Sequence, residues 1–225
     1  ASGPLDFCDG GSVTLTAATG QSYSWNTGDT SQSITVSQAG VYSAIVTTSN
    51  GCVDTTATYT TILFAPVDTS VVASQTLFCA SDSAMLTAAA GQSYLWNNGD
   101  TTQVSIVNTA GDYFVTATTT NGCVATSDTT TIVVVPDVVL PQIISDGLGW
   151  VASATTSSLT IVPDSNYTYQ WVVQGAIITG GQGTDSVSIL WGPADSNVVV
   201  FLIVSNGVCS DSTSINLVIS GIGFE

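Results

Sequence analysis

Residues 8–52, CDGGSVTLTAATGQSYSWNTGDTSQSITVSQAGVYSAIVTTSNGC, return at residues 79–123 as CASDSAMLTAAAGQSYLWNNGDTTQVSIVNTAGDYFVTATTTNGC. The two stretches align without a gap at an offset of 71, and 25 of the 45 positions are identical. Such agreement marks a duplicated unit. Within each copy the apolar period is two. Val13, Leu15 and Ala17 alternate with Thr, Tyr23 and Trp25 with Ser, and Tyr42, Ala44 and Val46 continue the pattern. Turn signals such as Asn26-Thr-Gly-Asp29, Ala39-Gly40 and Asn50-Gly51 separate the runs. Short alternating strands with a turn every 8–12 residues predict an antiparallel β-sandwich. One strand breaks the match: Ile34 and Val36 map onto Ser105 and Val107, while Val104 and Ile106 carry the opposite parity. A bulge or an edge strand is expected there.

Residues 137–225 are related to the two copies but different. Tyr167, Tyr169 and Trp171 alternate on one face, Gly180-Gly181-Gln-Gly-Thr leads into Val187, Ile189 and Trp191, and Ile215, Leu217 and Ile219 form a closing strand. Proline marks the linkers, at Pro66, Pro136 and Pro141. The expected architecture is all-β: three tandem Ig-like/PKD-like antiparallel sandwich domains, 1–65, 66–136 and 137–225, in an extended rod stiffened at its joints.

The 225 residues include 16 acids, no Lys, no Arg and no His, a net charge of −16. A side-chain salt bridge is therefore impossible, and each Asp must be solvated, hydrogen-bonded in a turn or paired with a cation. Nucleic-acid binding is excluded as a class, because that affinity rests on Lys and Arg at phosphates. Binding to anionic lipid fails for the same reason. Without His there is no Ser-His-Asp or Cys-His machinery, and without Lys no Schiff base. The chain is expected not to be an enzyme and to need no cofactor. No apolar run reaches the roughly 18 residues of a membrane-spanning helix, and with no charged n-region or apolar h-region at its start the chain is expected to be a processed form or a slice of something longer.

The opening C-x-G-x-x-V-T-L-T-A, the centre Y-x-W-N-x-G-D-T and the ending A-G-x-Y…T-T-x-N-G-C resemble the Ig-like repeats of Bacteroidota cell-surface proteins. Residues 167–191 resemble PKD-like domains of the same secreted proteins. The ending Ser220-Gly-Ile-Gly-Phe224-Glu225 is similar to the stretch before the sorting domain of type IX secretion substrates. The resemblance implies export to the cell surface and service as a stalk, adhesin or filament component, with no catalytic residues to carry over.

Five cysteines are present. Cys8/Cys52 and Cys79/Cys123 share one spacing, which predicts a disulfide within each copy, and hence an oxidising, extracellular location. Two Cys without His cannot close a zinc site. Cys209 is left over, either a buried remnant or the site of an intermolecular disulfide. Trp25 and Trp96 stand where Ig-like folds pack a core Trp on the disulfide. Trp150 and Trp191 are candidates for an exposed platform that stacks on a glycan ligand. Asp164 with Asn166, and Asp195 with Asn197, are the local candidates for Ca²⁺, against a plain reading as turns. Thr55, Ser83, Thr101, Thr129, Ser186 and Ser212 follow Asp in triplets similar to the O-glycosylation signal of that bacterial group.

Three functions compete at this level. The first is self-association of a structural or adhesive protein into a filament or surface layer. The second is a polysaccharide-binding module read by the third domain, and the third is an accessory region of a larger secreted enzyme.

Overall fold

The computed structural model describes residues 1–145, 150–193 and 196–220. Among the described residues there is no helix, and 52% of them are strand. Among the same residues no helix is long and apolar enough to cross a membrane. The architecture is that of tandem Ig-like β-sandwich domains.

In the first repeat, Val13–Thr16 pairs antiparallel with Ser33–Val36. Ser22–Trp25, Ala44–Thr47 and Val53–Thr55 form a second sheet. Asp6–Phe7 runs parallel to Tyr59–Leu63, which pairs antiparallel with Gly40–Tyr42. The period of two does what a pleated strand requires. Val13, Leu15, Trp25, Ile34, Val36 and Ala44 turn inward and are buried together. The intervening Thr and Ser stay outside and bond across the strands, Thr14 to Thr35 and Thr16 to Ser33.

The second repeat copies this plan. Ser93–Trp96, Val115–Thr118 and Val124–Thr126 form one sheet. Leu77–Cys79 runs parallel to Thr130–Val135, and Ala84–Ala88 lies between Val71–Ala73 and Val104–Val107. Of the bulge or edge strand expected here, the edge strand is found: Val104–Val107 lies at the edge of its sheet. Val104–Val107 keeps the parity of its counterpart, with Ser105 and Val107 inward and Ile106 outward at 70% exposure. Ser105 is fully buried, and its hydroxyl donates to Asp100 and accepts from the Asn98 amide of the preceding turn. A buried hydroxyl is tolerated when partnered, so a polar residue holds the register in place of isoleucine.

The third segment has two four-stranded sheets. One is ordered Ile144–Ser145, Thr156–Thr160, Ser186–Trp191, Ala176–Gly180, and the other Trp150–Ala152, Ser210–Ser220, Asn197–Ser205, Thr168–Gln174. Its core gathers Leu159, Trp171, Val187, Ile189, Trp191, Leu202 and Leu217. Gln182 acts as an extra rung: its side-chain amide accepts from the Trp171 N–H and donates to the Trp171 carbonyl, both at 2.8 Å.

By internal contacts the chain divides into two compact units. One comprises residues 1–73, 86–105 and 112–130; the other comprises 74–85, 106–111 and the chain from 131 onward. The division runs through the second repeat.

Candidate functional site

The cysteines do not pair as their spacing suggests. Cys8 bonds Cys123 and Cys79 bonds Cys209, each with Cα atoms 5.6 Å apart. Cys52 is an exposed free thiol. The expected Cys8–Cys52 and Cys79–Cys123 bridges are absent, and Cys209 is neither a remnant nor free for another chain. Each bridge lies inside one compact unit and ties one repeat to the next.

Strand direction explains the pairing. Gly40–Tyr42 and Ala44–Thr47 run toward the turn Thr48–Cys52, while Val53–Thr55 and Tyr59–Leu63 run antiparallel to them and away from it. Asp6–Phe7 is parallel to Tyr59–Leu63, with Phe7 opposite Leu63. Cys8 therefore emerges at the exit end of the repeat, beside the linker, and Cys52 sits at the other end. A disulfide needs Cα atoms within about 7 Å, so a bond along the length of one sandwich is out of reach. The exit-end cysteine of each repeat meets the turn cysteine of the next.

The turns that present these cysteines are alike. The Thr48 N–H donates to the Cys52 carbonyl at 2.9 Å and the Gly51 N–H to the Thr48 carbonyl at 3.0 Å. Thr119, Gly122 and Cys123 repeat both bonds at 2.9 Å. Gly51 and Gly122 share φ +78°, a left-handed conformation that explains the Asn-Gly signal. In the third segment Asn206 caps its turn, accepting from the Cys209 N–H at 2.8 Å.

Around the first bridge, a groove of about 180 Å³ is lined by Asp9, the linker Ala65-Pro66-Val67, Val124 and Ala125. Around the second, a groove of about 440 Å³ is lined by Ser81, Asp82, Asp137, Val138, Ser210 and Asp211. Here the linker is pinned: Ser81 donates its N–H and hydroxyl to Asp137, and Asn206 donates to the Pro136 carbonyl at 3.0 Å. The Asp137 carboxylate and both sulfurs lie within 4.8 Å of one another. Bonded to each other, those sulfurs supply no thiolate to a metal. Three carboxylates instead give the groove a negative field. At the Asp68 turn the Ser70 N–H and hydroxyl hold the carboxyl below its ordinary value.

The other predicted residues fall as follows. Trp25 and Trp96 are core residues whose indole N–H groups reach the carbonyls of Ser31 and Thr102. They pack on no bridge within their own repeat, because none exists. Trp191 is 2% exposed and donates to Ser157, so it offers no platform for a sugar; the alternating strand that carries it turns it inward. Trp150 starts Trp150–Ala152, and its side chain lies outside the described residues, as do Asp195 and the chain end 221–225. Asp164 accepts from the N–H and the amide of Asn166 at 2.9 and 2.8 Å, a closed turn. Thr55, Ser83, Thr101, Thr129 and Ser212 are exposed and Ser186 half-buried. The bridge pattern was missed because five cysteines pair equally well within copies or between neighbours; one is left over either way, and only strand direction chooses.

No protein-family model matches the chain, and no curated protein matches it. Among solved structures it is similar to Drosophila OTK, extracellular domains 3–5, at 13% identity and TM-score 0.40, covering 96% of this chain and 93% of that one. It is also similar to the fibronectin(III)-like modules of Clostridium thermocellum CbhA, at 14% identity and TM-score 0.37, covering 68% and 95%. A third is the Bacteroides ovatus mixed-linkage glucan utilization locus SGBP-B in complex with a mixed-linkage heptasaccharide, at 13% identity and TM-score 0.25, covering 96% and 65%. The chain's own sheets and bridges define its class: a tandem Ig-like sandwich protein whose repeats are stapled to their neighbours.

Proposed function

We propose that the chain is a non-catalytic extracellular protein that acts as a structural or adhesive element of a cell surface, of the Bacteroidota type that its repeats resemble. The observation that carries the reading is the placement of the disulfides. Both bridges join consecutive repeats, where they restrain joints and close long loops, instead of securing single cores. Disulfides persist in oxidising surroundings, which supports a location outside the cytoplasm. The lack of Lys and Arg leaves no trypsin site, an advantage in a protease-rich medium. Self-association into a filament or surface layer would have to use apolar, strand-to-strand or cation-bridged contacts, since no basic side chain faces the 16 acids.

Electron microscopy of the purified chain tests this. Ordered fibres or a surface array are expected; monodisperse particles under all salt and Ca²⁺ conditions, with turnover of a substrate, would overturn it.

A second reading has its own observation. In the third segment a cleft of about 300 Å³ is lined by Tyr167, Tyr169, Pro141, Pro163 and Asp164, together with Val139 and Val162. Aromatic and polar groups at one cleft suit a polysaccharide ligand. Retention on insoluble glucan that is lost in Tyr167→Ala would favour it over assembly.

A further inference from the structure

The bridges follow one rule: the exit-end cysteine of a repeat bonds the turn cysteine of the repeat after it. Cys8 obeys it with Cys123, and Cys79 with Cys209. Cys52 is the turn cysteine of the first repeat and has no repeat before it in these 225 residues. Its turn already has the form of the bonded one at Cys123, with the same carbonyl and glycine hydrogen bonds and the same +78° glycine. Next to it, Val53 is 63% exposed, as Val124 is 60% exposed beside the first bridge.

We propose that Cys52 is the open socket of this disulfide ladder, and that its partner is the exit-end cysteine of a further Ig-like module. A second copy of the chain offers no exit-end cysteine, because its own Cys8 and Cys79 are already bonded and its one free thiol is again the turn cysteine Cys52. The module can lie on the same polypeptide or on a separate protein; the chemistry is shared. The bond forms by thiol–disulfide exchange. The Cys52 thiolate attacks the partner cysteine held as a mixed disulfide with a low-molecular-weight thiol. One S–S bond forms as the other breaks, and the small thiolate leaves with the electron pair and takes up a proton. The proposal names a partner for the structural reading above without depending on it: fibres without a ladder, or a ladder without fibres, would each be seen separately.

Two experiments decide it. In the isolated chain, glutathione disulfide should add one glutathione per chain by mass, and none in Cys52→Ser; no uptake by the folded chain would mean that the socket is closed, and would overturn the proposal. In material from the producing cells, alkylated before unfolding and cut with an Asp-specific protease, the Cys52 peptide should be found cross-linked to a cysteine that opens an Ig-like repeat. Denaturing gels separate the sources: a mass that falls on reduction places the module on another chain, an unchanged mass on the same one. Recovery of Cys52 mainly as alkylated thiol, or as a Cys52–Cys52 dimer, would overturn the ladder.

Discussion

Ser105 shows how one side chain can hold a strand in register. Its counterpart Ile34 secures the first repeat by burial, whereas Ser105 does so through Asp100 and Asn98. Ser105→Ala should cost about 1 kcal/mol, the net worth of such a bond, read as a lower urea midpoint. Ser105→Ile together with Asn98→Thr, which copies the first repeat, should recover that loss. In the apolar pattern alone the position has the parity of a slipped strand. A hydroxyl satisfied by the adjacent turn leaves no mark in an apolar pattern. Among the described residues no buried side-chain nitrogen or oxygen lacks a partner, so Ser105 follows the rule of the whole molecule.

Among the elements, the glycine-rich turn of the third segment is the most constrained. Gly181 has φ +81°, and a Cβ there would stand 2.0 Å from the Ser186 carbonyl oxygen. Gly181→Ala should therefore cost about 3 kcal/mol or more, from left-handed strain together with a backbone clash, seen as a drop in melting temperature. The same turn delivers Gln182 to its rung on Trp171 and lets the Thr184 carbonyl accept the Trp171 indole N–H. Its motif was legible in the sequence as a turn; the side-chain rung was not, because it depends on a strand 11 residues away in the chain.

Across the whole molecule the two bridges interleave, spanning 115 and 130 residues with the second repeat common to both. Opening the first in Cys8→Ser/Cys123→Ser should lower stability by about 4–5 kcal/mol in the chain-entropy view of a loop this long, measured by denaturant unfolding. Pulling from the ends gives a sharper test. The shortest covalent path runs from the start to Cys8, across to Cys123, back to Cys79 and across to Cys209. At about 3.5 Å per residue the oxidised chain should extend to about 240 Å, against about 780 Å when reduced. Bridges within each repeat would give a longer oxidised extension, so force spectroscopy distinguishes the two patterns. Asp82, Asp137 and Asp211 around Cys79–Cys209 should also slow attack by anionic thiols. Cysteamine should reduce that bridge about tenfold faster than glutathione at low salt, with the difference vanishing near 1 M salt.

Period-two alternation, turn chemistry and the 71-residue offset were enough to read an all-β chain of Ig-like sandwiches with its core tryptophans, because strand pattern and turn preference are local properties. Which cysteine meets which, and that Trp191 faces the core, were settled only in three dimensions. A disulfide joins whatever strand direction brings within reach, and spacing along the chain carries no record of which end of a sandwich a residue occupies.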